Sequence, residues 1–407
     1  MLNISMIPRT RTLEVELSTK CTLSCSECPR VIHKSTISDW NYGFLKTKPF
    51  LDNVDSHILE YIFSGAYGDP IYHPDFADIL HTLVNRSNNP RIKVETNGGY
   101  ISEEKYHNIG KAVSSNPNNR VIFTMSVDGS LDNFTQYRIN GDSKGTEAGL
   151  RILPEYGVYV NWKFISFEYN TNFETLKKVY DTANSYGVQR ITLIHSHRAR
   201  PGDYVSVEQF IKAVDQLYQY SKNLQSNHKT IISLGVAPGY RSEFPECYPI
   251  TSHPLWPDSK VIIKTNSVSN NLAIKNNNGA KIREIIDPAT TKGFNNKPST
   301  TSPKWRNKIL PQCVYKKHQN FIGADGVYLP CCWLHADGPA MKQHIKNLIG
   351  GSFKELSIYN YSFDEIVNSE SWKRLSDNFT NIKVCHTKCP SESRMPTIDK
   401  SKGLATV

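Results

Sequence analysis

The sequence predicts an α/β fold in which a partial (β/α)6 TIM-like barrel precedes a small, cysteine-rich unit of β-hairpin and helices. Three observations predict it. In the first half of the 407 residues, short runs of strand-forming residues alternate with segments of helical periodicity, which is typical of βα units on a parallel sheet. A long polar stretch follows, and the remaining cysteines then gather around a hairpin sequence.

Six strands are predicted in the first half: Thr12–Leu17, Ile58–Ser64, Ile92–Thr96, Val121–Val127, Tyr159–Ser166 and Arg190–His195. Helices are predicted between them from apolar residues at 3.6-residue spacing. One such stripe starts at Phe76, and another starts at Phe173 and stops before Gly187, a residue suited to a helix C-terminus. The pattern fits either a partial barrel or an open doubly wound sheet.

The chain divides by composition into three predicted parts. Residues 1–200 form the barrel core, residues 201–312 a helix with an irregular connecting or lid region, and residues 313–407 the cysteine-rich domain. The middle part becomes rich in Pro, Asn, Ser and Lys from about Ala237 to Gln312, which indicates little regular structure.

The C-terminal part contains one hairpin signal and one helix signal. The hairpin strands Phe321-Ile322 and Val327–Leu329 flank a turn at Asp325-Gly326. Later, Ser362-x-x-Glu365 has the pattern of a capping box and predicts the start of a helix.

Composition limits the class of protein. No run of 18 apolar residues occurs and the first residues lack the apolar segment of a signal peptide, so we expect a soluble, cytoplasmic protein with no membrane partner. Nine clustered cysteines favour metal binding over disulfides in that compartment. The net charge of +10 permits a nucleic-acid partner but does not favour one, because no dense basic run or aromatic-basic module accompanies it.

A first cysteine cluster follows the first predicted strand. Cys21, Cys25 and Cys28 have the spacing CX3CX2C. Three thiolates on a [4Fe–4S] cube leave one iron without a protein ligand, and that iron can chelate a substrate. The alternative is a structural zinc site, which needs a fourth ligand, and His33 is the candidate for it.

The CX3CX2C loop resembles the signature of the radical S-adenosylmethionine (SAM) superfamily, and neighbouring segments match that family in order. Gly65–Pro70 resembles the Gly-Glu-Pro motif, Glu95–Gly98 the Thr-Asn-Gly motif and Ser126–Gly129 the Ser-x-Asp-Gly motif, while Arg138 matches an arginine that pairs with the SAM carboxylate. The resemblance covers about Arg11 to His197. It implies SAM-binding roles for Glu27, Gly68, Asp69, Asn97, Ser126 and Arg138.

Two positions depart from the family pattern. The residue before the third cysteine is usually aromatic, whereas here it is Glu27, and Asp69 replaces the usual glutamate. We expect Glu27 to accept a hydrogen bond from the adenine amino group.

A second cysteine set resembles the SPASM/Twitch subgroup of this family. Twelve residues separate Cys313 from Gly326 and four separate Gly326 from Cys331, while Cys385 and Cys389 form a CX3C pair. The longer CX2CX5CX3C stretch of a full SPASM domain is absent, so the resemblance implies one auxiliary [4Fe–4S] cluster held by Cys313, Cys331, Cys385 and Cys389. Four-cysteine zinc is the alternative, and Cys332 competes with Cys331. A spare thiol is expected at Cys247.

The resemblance implies a function: reductive cleavage of SAM to a 5′-deoxyadenosyl radical, which abstracts hydrogen from a small metabolite or peptide for oxidation or another modification. It also implies a flavodoxin- or ferredoxin-like one-electron donor. The alternatives are a zinc-stabilised, basic nucleic-acid-binding protein and a non-catalytic SAM and iron–sulfur sensor. His195, His197, Arg198 and Arg200 follow the last strand and either hold an anionic substrate or form a solvated loop. No catalytic acid, base or radical-quenching residue is assigned.

Overall fold

One continuous sheet forms the centre of the protein, which is described here from a computed structural model. The structure describes residues 9–32, 43–65, 67–99, 101–195, 205–224, 230–236, 313, 319–336 and 338–389. Within these residues the strands of the sheet are β1 (Thr12–Val15), β2 (Glu60–Phe63), β3 (Arg91–Thr96), β4 (Arg120–Ser126), β5 (Tyr159–Ser166), β6 (Arg190–His195), β7 (Ile231–Val236), β8 (Gln319–Ile322) and β9 (Tyr328–Leu329).

The strand order is β7-β6-β5-β4-β3-β2-β1-β8-β9. Strands β1 to β7 are parallel to their neighbours. Strand β8 also pairs with β1 in parallel, and β9 returns antiparallel to β8. The hairpin of the C-terminal part therefore extends the barrel sheet at its β1 edge.

The helices follow the strands as βα units require. They are α1 (Pro29–Ile32), α2 (Thr47–Asn53), α3 (Phe76–Val84), α4 (Glu103–Ser114), α5 (Ser143–Glu155), α6 (Phe173–Ser185), α7 (Val207–Asn223), α8 (Trp333–Ala336), α9 (Pro339–Leu348), α10 (Phe363–Val367), α11 (Glu370–Asp377) and α12 (Lys383–Lys388). In the described part of the chain, no helix combines the length and the hydropathy needed to cross a bilayer.

The two faces of the sheet differ in polarity because side chains alternate along each strand. On β3, Ile92 and Val94 are fully buried in the core that includes the helices, whereas Lys93 and Glu95 are only half-buried. Strand β5 repeats the pattern, with Trp162 buried and Lys163 half-buried. One face thus carries the hydrophobic core, and the other carries polar groups.

The structure confirms the predicted fold class and most of the predicted local signals. All six predicted strands are present. The hairpin forms around Gly326, whose φ of 77° lies in the left-handed region, and Ser362 and Glu365 form a reciprocal capping box. Helix α6 ends before Gly187, at φ 72°. The domain boundaries stay predictions, and residues 237–312, including Cys247, lie outside the described residues.

Strand β7 is an addition that the sequence analysis did not predict. It runs parallel to β6 and gives the barrel a seventh strand. Its six residues read IISLGV, and so short an apolar run next to a polar region has no periodicity that separates strand from loop or helix.

Candidate cluster and cofactor site

The loop after β1 brings three cysteines to the carboxyl end of the sheet. The thiols of Cys21, Cys25 and Cys28 are free, with Cys25 buried and the other two half-buried. The Cys28 amide donates to the Cys25 carbonyl oxygen at 3.1 Å, so the loop turns back on itself between these residues. The Ser24 amide donates to the Ile139 carbonyl oxygen at 3.0 Å, which docks the loop on the segment after β4.

Asp69 and Asn97 join this loop to the ends of β2 and β3. The buried Asp69 carboxylate accepts from Asn97 twice, from its backbone amide and from Nδ2, each at 2.6 Å. It also accepts from the Thr96 hydroxyl at 2.8 Å. Asn97 Nδ2 lies 3.5 Å from Cys21 Sγ. Asp69 therefore fixes the orientation of an amide that reaches the first cysteine.

Gly68 allows the β2 loop to approach the cysteine loop closely. A Cβ atom at this position would lie 1.8 Å from the Ser18 carbonyl oxygen and 2.7 Å from the Thr19 carbonyl carbon. The next amide, of Asp69, donates to the Lys20 carbonyl oxygen at 2.9 Å. No residue other than glycine fits here without moving backbone.

Arg138 is held by a buried carboxylate. Its Nε donates to Asp128 Oδ2 at 2.6 Å, and the Asp128 side chain is completely buried. Asp128 Oδ1 accepts from the Ile165 amide at 2.8 Å, so β5 fixes the carboxylate in turn. The Arg138 charge also acts to lower the pKa of Cys25, which burial raises. Burial alone would lower the pKa of Arg138, but attraction by Asp128 and then by Cys25 leaves the pKa raised.

Burial controls the protonation of the site's thiols and of Asp69. It raises the pKa of Cys21 to about 12, with a further contribution from Asp69, and it raises the pKa of Cys25 against the lowering effect of Arg138. Burial likewise raises the pKa of Asp69 to about 6, although hydrogen bonds from Asn97 and Thr96 oppose it. Buried thiols of this kind become thiolates when a metal centre replaces their protons, which fits an iron–sulfur cluster.

The remaining predicted cofactor residues lie on the same edge. Glu27 is half-buried between Cys25 and Cys28, and Ser126 is half-buried at the last position of β4. The structure thus brings all of the first-cluster and SAM-site predictions to the carboxyl ends of β1 to β4, while their roles stay predictions. His33, the zinc alternative, lies outside the described residues.

The second cysteine set gathers in the C-terminal part. Cys313 and Cys385 are buried and Cys331 and Cys389 are half-buried. Burial raises the pKa of Cys385, and Cys331, Cys389 and Cys313 raise it further. Cys332 is different: after burial, the main cause of its raised pKa is Glu14.

No three Cys, His, Asp or Glu side chains within the described ranges converge closely enough to hold a single metal ion. His195, one of four basic residues predicted either to hold an anionic substrate or to form a solvated loop, donates from Nε2 to the Val205 carbonyl oxygen at 2.9 Å and packs its ring on Phe210. Its neighbours His197, Arg198 and Arg200 lie outside the described residues.

Asp128 was missed as a site residue, although it lies in the Ser-x-Asp-Gly segment. Its role depends on a contact with Arg138, ten positions later, whose Nε donates to its carboxylate. A second missed pair is Glu16 with His335, whose side chains are both buried and meet at 3.0 Å. The signal for Glu16 was a second acidic residue in the strand sequence TLEVEL.

The C-terminal part of the chain matches a known protein family. Residues 313–390 match the model of the SPASM family, described as an iron–sulfur cluster-binding domain. The match confirms the prediction that this part of the chain is SPASM-like and binds iron and sulfur. No curated protein sequence matched the chain.

Several solved structures resemble the chain at low identity. SuiB from Streptococcus suis, bound to its precursor peptide SuiA, is 11% identical over 82% of this chain and 62% of that chain, with a TM-score of 0.48. A structure described as native anSMEcpe with bound AdoMet is 14% identical over 89% of this chain and 81% of that chain, with a TM-score of 0.45. The chain spans less than two thirds of SuiB. The SPASM match covers residues 313–390, which is less than half of the chain.

Proposed function

We propose that this chain, whose residues 313–390 belong to the SPASM iron–sulfur cluster-binding family, is a radical SAM enzyme. In this proposal Cys21, Cys25 and Cys28 hold a [4Fe–4S] cluster that binds SAM. Cys313, Cys331, Cys385 and Cys389 hold one auxiliary [4Fe–4S] cluster. Bound at the first site, a cluster with one open iron would supply the electron that splits SAM into methionine and a 5′-deoxyadenosyl radical.

One observation carries the proposal: three thiols, an oriented amide and an anchored guanidinium meet at one edge of the sheet. Asn97 Nδ2 lies 3.5 Å from Cys21 Sγ, and the Arg138 charge acts on the pKa of Cys25. The amide of Asn97 can donate to a polar group of a ligand, and the guanidinium of Arg138 can pair with a carboxylate. Both belong to the same site as the loop of three thiols. Ligands of open parallel sheets and barrels bind at this carboxyl edge, which supports the assignment.

Different residues of this chain bind different parts of SAM in this proposal. Arg138 already has its Nε edge on Asp128, so a carboxylate ligand would meet the terminal nitrogens, and the charge is fixed before the ligand arrives. Asp69 holds Asn97, and Gly68 lets the β2 loop lie against the backbone before Cys21. We assign the SAM amino group to this loop, the ribose side to Ser126 and the adenine amino group to Glu27.

The substrate in this proposal binds over the polar face of the sheet, next to the carboxyl ends of the strands. Lys163 and Glu95 form an ion pair there at 3.0 Å, with each side chain about one third exposed. Thr192 donates to Asn161 Oδ1 at 2.8 Å and shares a hydrogen bond with Ser233 at 2.9 Å. These groups support a polar metabolite or a peptide rather than an apolar substrate. Electrons come from a flavodoxin- or ferredoxin-like protein.

The test begins with protein purified and reconstituted without oxygen. We expect about eight iron atoms per chain, as two cubane clusters require, and a change in the electron paramagnetic resonance (EPR) signal of the reduced protein when SAM is added. A Cys385→Ala variant should retain the SAM response with about half of the iron. Zinc in place of iron, or an EPR signal that is insensitive to SAM, contradicts the proposal.

A further inference from the structure

A buried contact joins the first strand of the barrel to the auxiliary-cluster region. Glu16 follows β1, five residues before Cys21, and is completely buried. His335 lies on α8, four residues after Cys331, and its side chain is 1% exposed. Glu16 Oε2 lies 3.0 Å from His335 Nε2. Because a carboxylate only accepts, His335 donates from Nε2.

The same contact includes Tyr67, which lies inside the Gly65–Pro70 segment. Its amide donates to the second oxygen of Glu16, Oε1, at 2.8 Å, and its hydroxyl donates to the His335 carbonyl oxygen at 3.1 Å. Its ring also packs edge-on against the His335 ring, with centroids 5.5 Å apart. Tyr67 is 1% exposed, so these bonds form away from water, where an unmade bond is costly.

Tyr67 is directly followed by the glycine that touches the cysteine loop. The turn is tight, because a Cβ atom on Gly65 would lie 2.2 Å from the Gly68 carbonyl oxygen. Gly68 lies so close to Ser18 that a Cβ atom would not fit between them. The Asp69 amide donates to the Lys20 carbonyl oxygen. A displacement of Tyr67 must therefore move Gly68 and Asp69, and Asp69 is the residue that orients Asn97.

We infer that Glu16, Tyr67 and His335 form a positioning contact through which the auxiliary-cluster region holds the SAM-binding segment Tyr67–Pro70 in place. The inference rests on the proposed function for its ligand, SAM, but the contact itself is independent of it. His335 then has a role other than cluster ligation. Through His335, the helical turn that starts at Cys331 restrains the position of the SAM site. SAM affinity, but not the ability to respond to SAM, then depends on the C-terminal region.

Two variants test the contact, and a third tests whether it can be restored. Tyr67→Phe removes one hydroxyl and keeps the ring. His335→Ala removes the donor to Glu16, whereas His335→Gln places an amide donor at similar reach. Asp364→Asn is the matched control, because Asp364 also links the barrel to the C-terminal region, through Arg9 at 2.8 Å, but contacts none of the segment.

The first measurement is hydrogen–deuterium exchange of the peptide covering residues 65–70 in the reconstituted protein. The second is the SAM concentration that gives half of the EPR change. We expect faster exchange, and a rise in half-saturation of roughly three- to tenfold for Tyr67→Phe and His335→Ala, which corresponds to the loss of one net hydrogen bond. His335→Gln should recover most of the affinity, and Asp364→Asn should match the wild type.

The two proposals fail in different ways. If the wild type shows no SAM-dependent EPR change, the proposed function fails, while the exchange measurement still tests the contact. If Tyr67→Phe and His335→Ala lower the unfolding midpoint but keep wild-type exchange at residues 65–70 and wild-type half-saturation, the contact is only structural and the inference is overturned.

Discussion

Replacing Asp128 with Asn should destabilise the protein strongly, because it leaves the charge of Arg138 buried without its partner. The Asp128 side chain is completely buried, the Arg138 side chain is 15% exposed, and the two meet at 2.6 Å. Breaking a buried ion pair by removing one partner costs about 3–5 kcal/mol. Since Asn keeps an acceptor for the Ile165 amide and Arg138 retains some contact with water, we expect about 3 kcal/mol.

A matched variant separates burial from charge. Asp132 lies four residues further along the chain and pairs with Lys178, but the two side chains are 66% and 58% exposed. Asp132→Asn should therefore cost less than about 1 kcal/mol.

Equilibrium unfolding in urea measures both variants. Tryptophan fluorescence is a suitable signal, because the buried Trp162 donates to the Val127 carbonyl oxygen beside Asp128 at 2.9 Å. If Asp128→Asn costs no more than Asp132→Asn, the buried pair is not holding Arg138 and the description of the site is wrong.

Three further predictions concern the site. Burial raises the pKa of Asp69 from 3.8 to about 6, so its folded form binds a proton more tightly: its stabilising contribution is complete below pH 3.8 and is lost as the pH rises through 6. Asp69→Asn should flatten that part of the stability curve measured by urea unfolding, and an unchanged slope would contradict the shift. Glu27→Met should weaken SAM binding several-fold, as one lost hydrogen bond requires, and unchanged affinity in the EPR titration would reject its adenine contact. Cys25→Ala should lose about four of eight irons and all of the SAM-dependent EPR change, and iron analysis showing a full complement would remove Cys25 from the ligand set.

Local sequence signals predicted the parts of the fold that depend on local physics. The alternation of strands and amphipathic helices predicted the barrel strands, and glycines at turns predicted the ends of α6 and the hairpin. Strand β7 was missed because its pairing with β6 is a tertiary contact and its own sequence carries too short a pattern.

In the candidate site, too, local motifs were predictable and contacts between distant residues were not. Cysteine spacing and motif order predict which residues hold a cluster or SAM, because each motif lies within one short loop; these roles stay predictions. The residues that support them were not predictable: Glu16 and His335 are 319 positions apart, and only the parallel pairing of β8 with β1 brings their elements together. Neither a charge in a strand nor a histidine in a short helix indicates its partner.

SAM cleavage is tested by product analysis after reduction of the reconstituted protein with dithionite in the presence of SAM. We expect 5′-deoxyadenosine and methionine in equal amounts from the wild type and neither from Cys25→Ala. A wild-type protein that holds both clusters and leaves SAM intact, or a Cys25→Ala variant that still cleaves it, would contradict the central claim that the thiol loop of Cys21, Cys25 and Cys28 is a SAM-cleaving site.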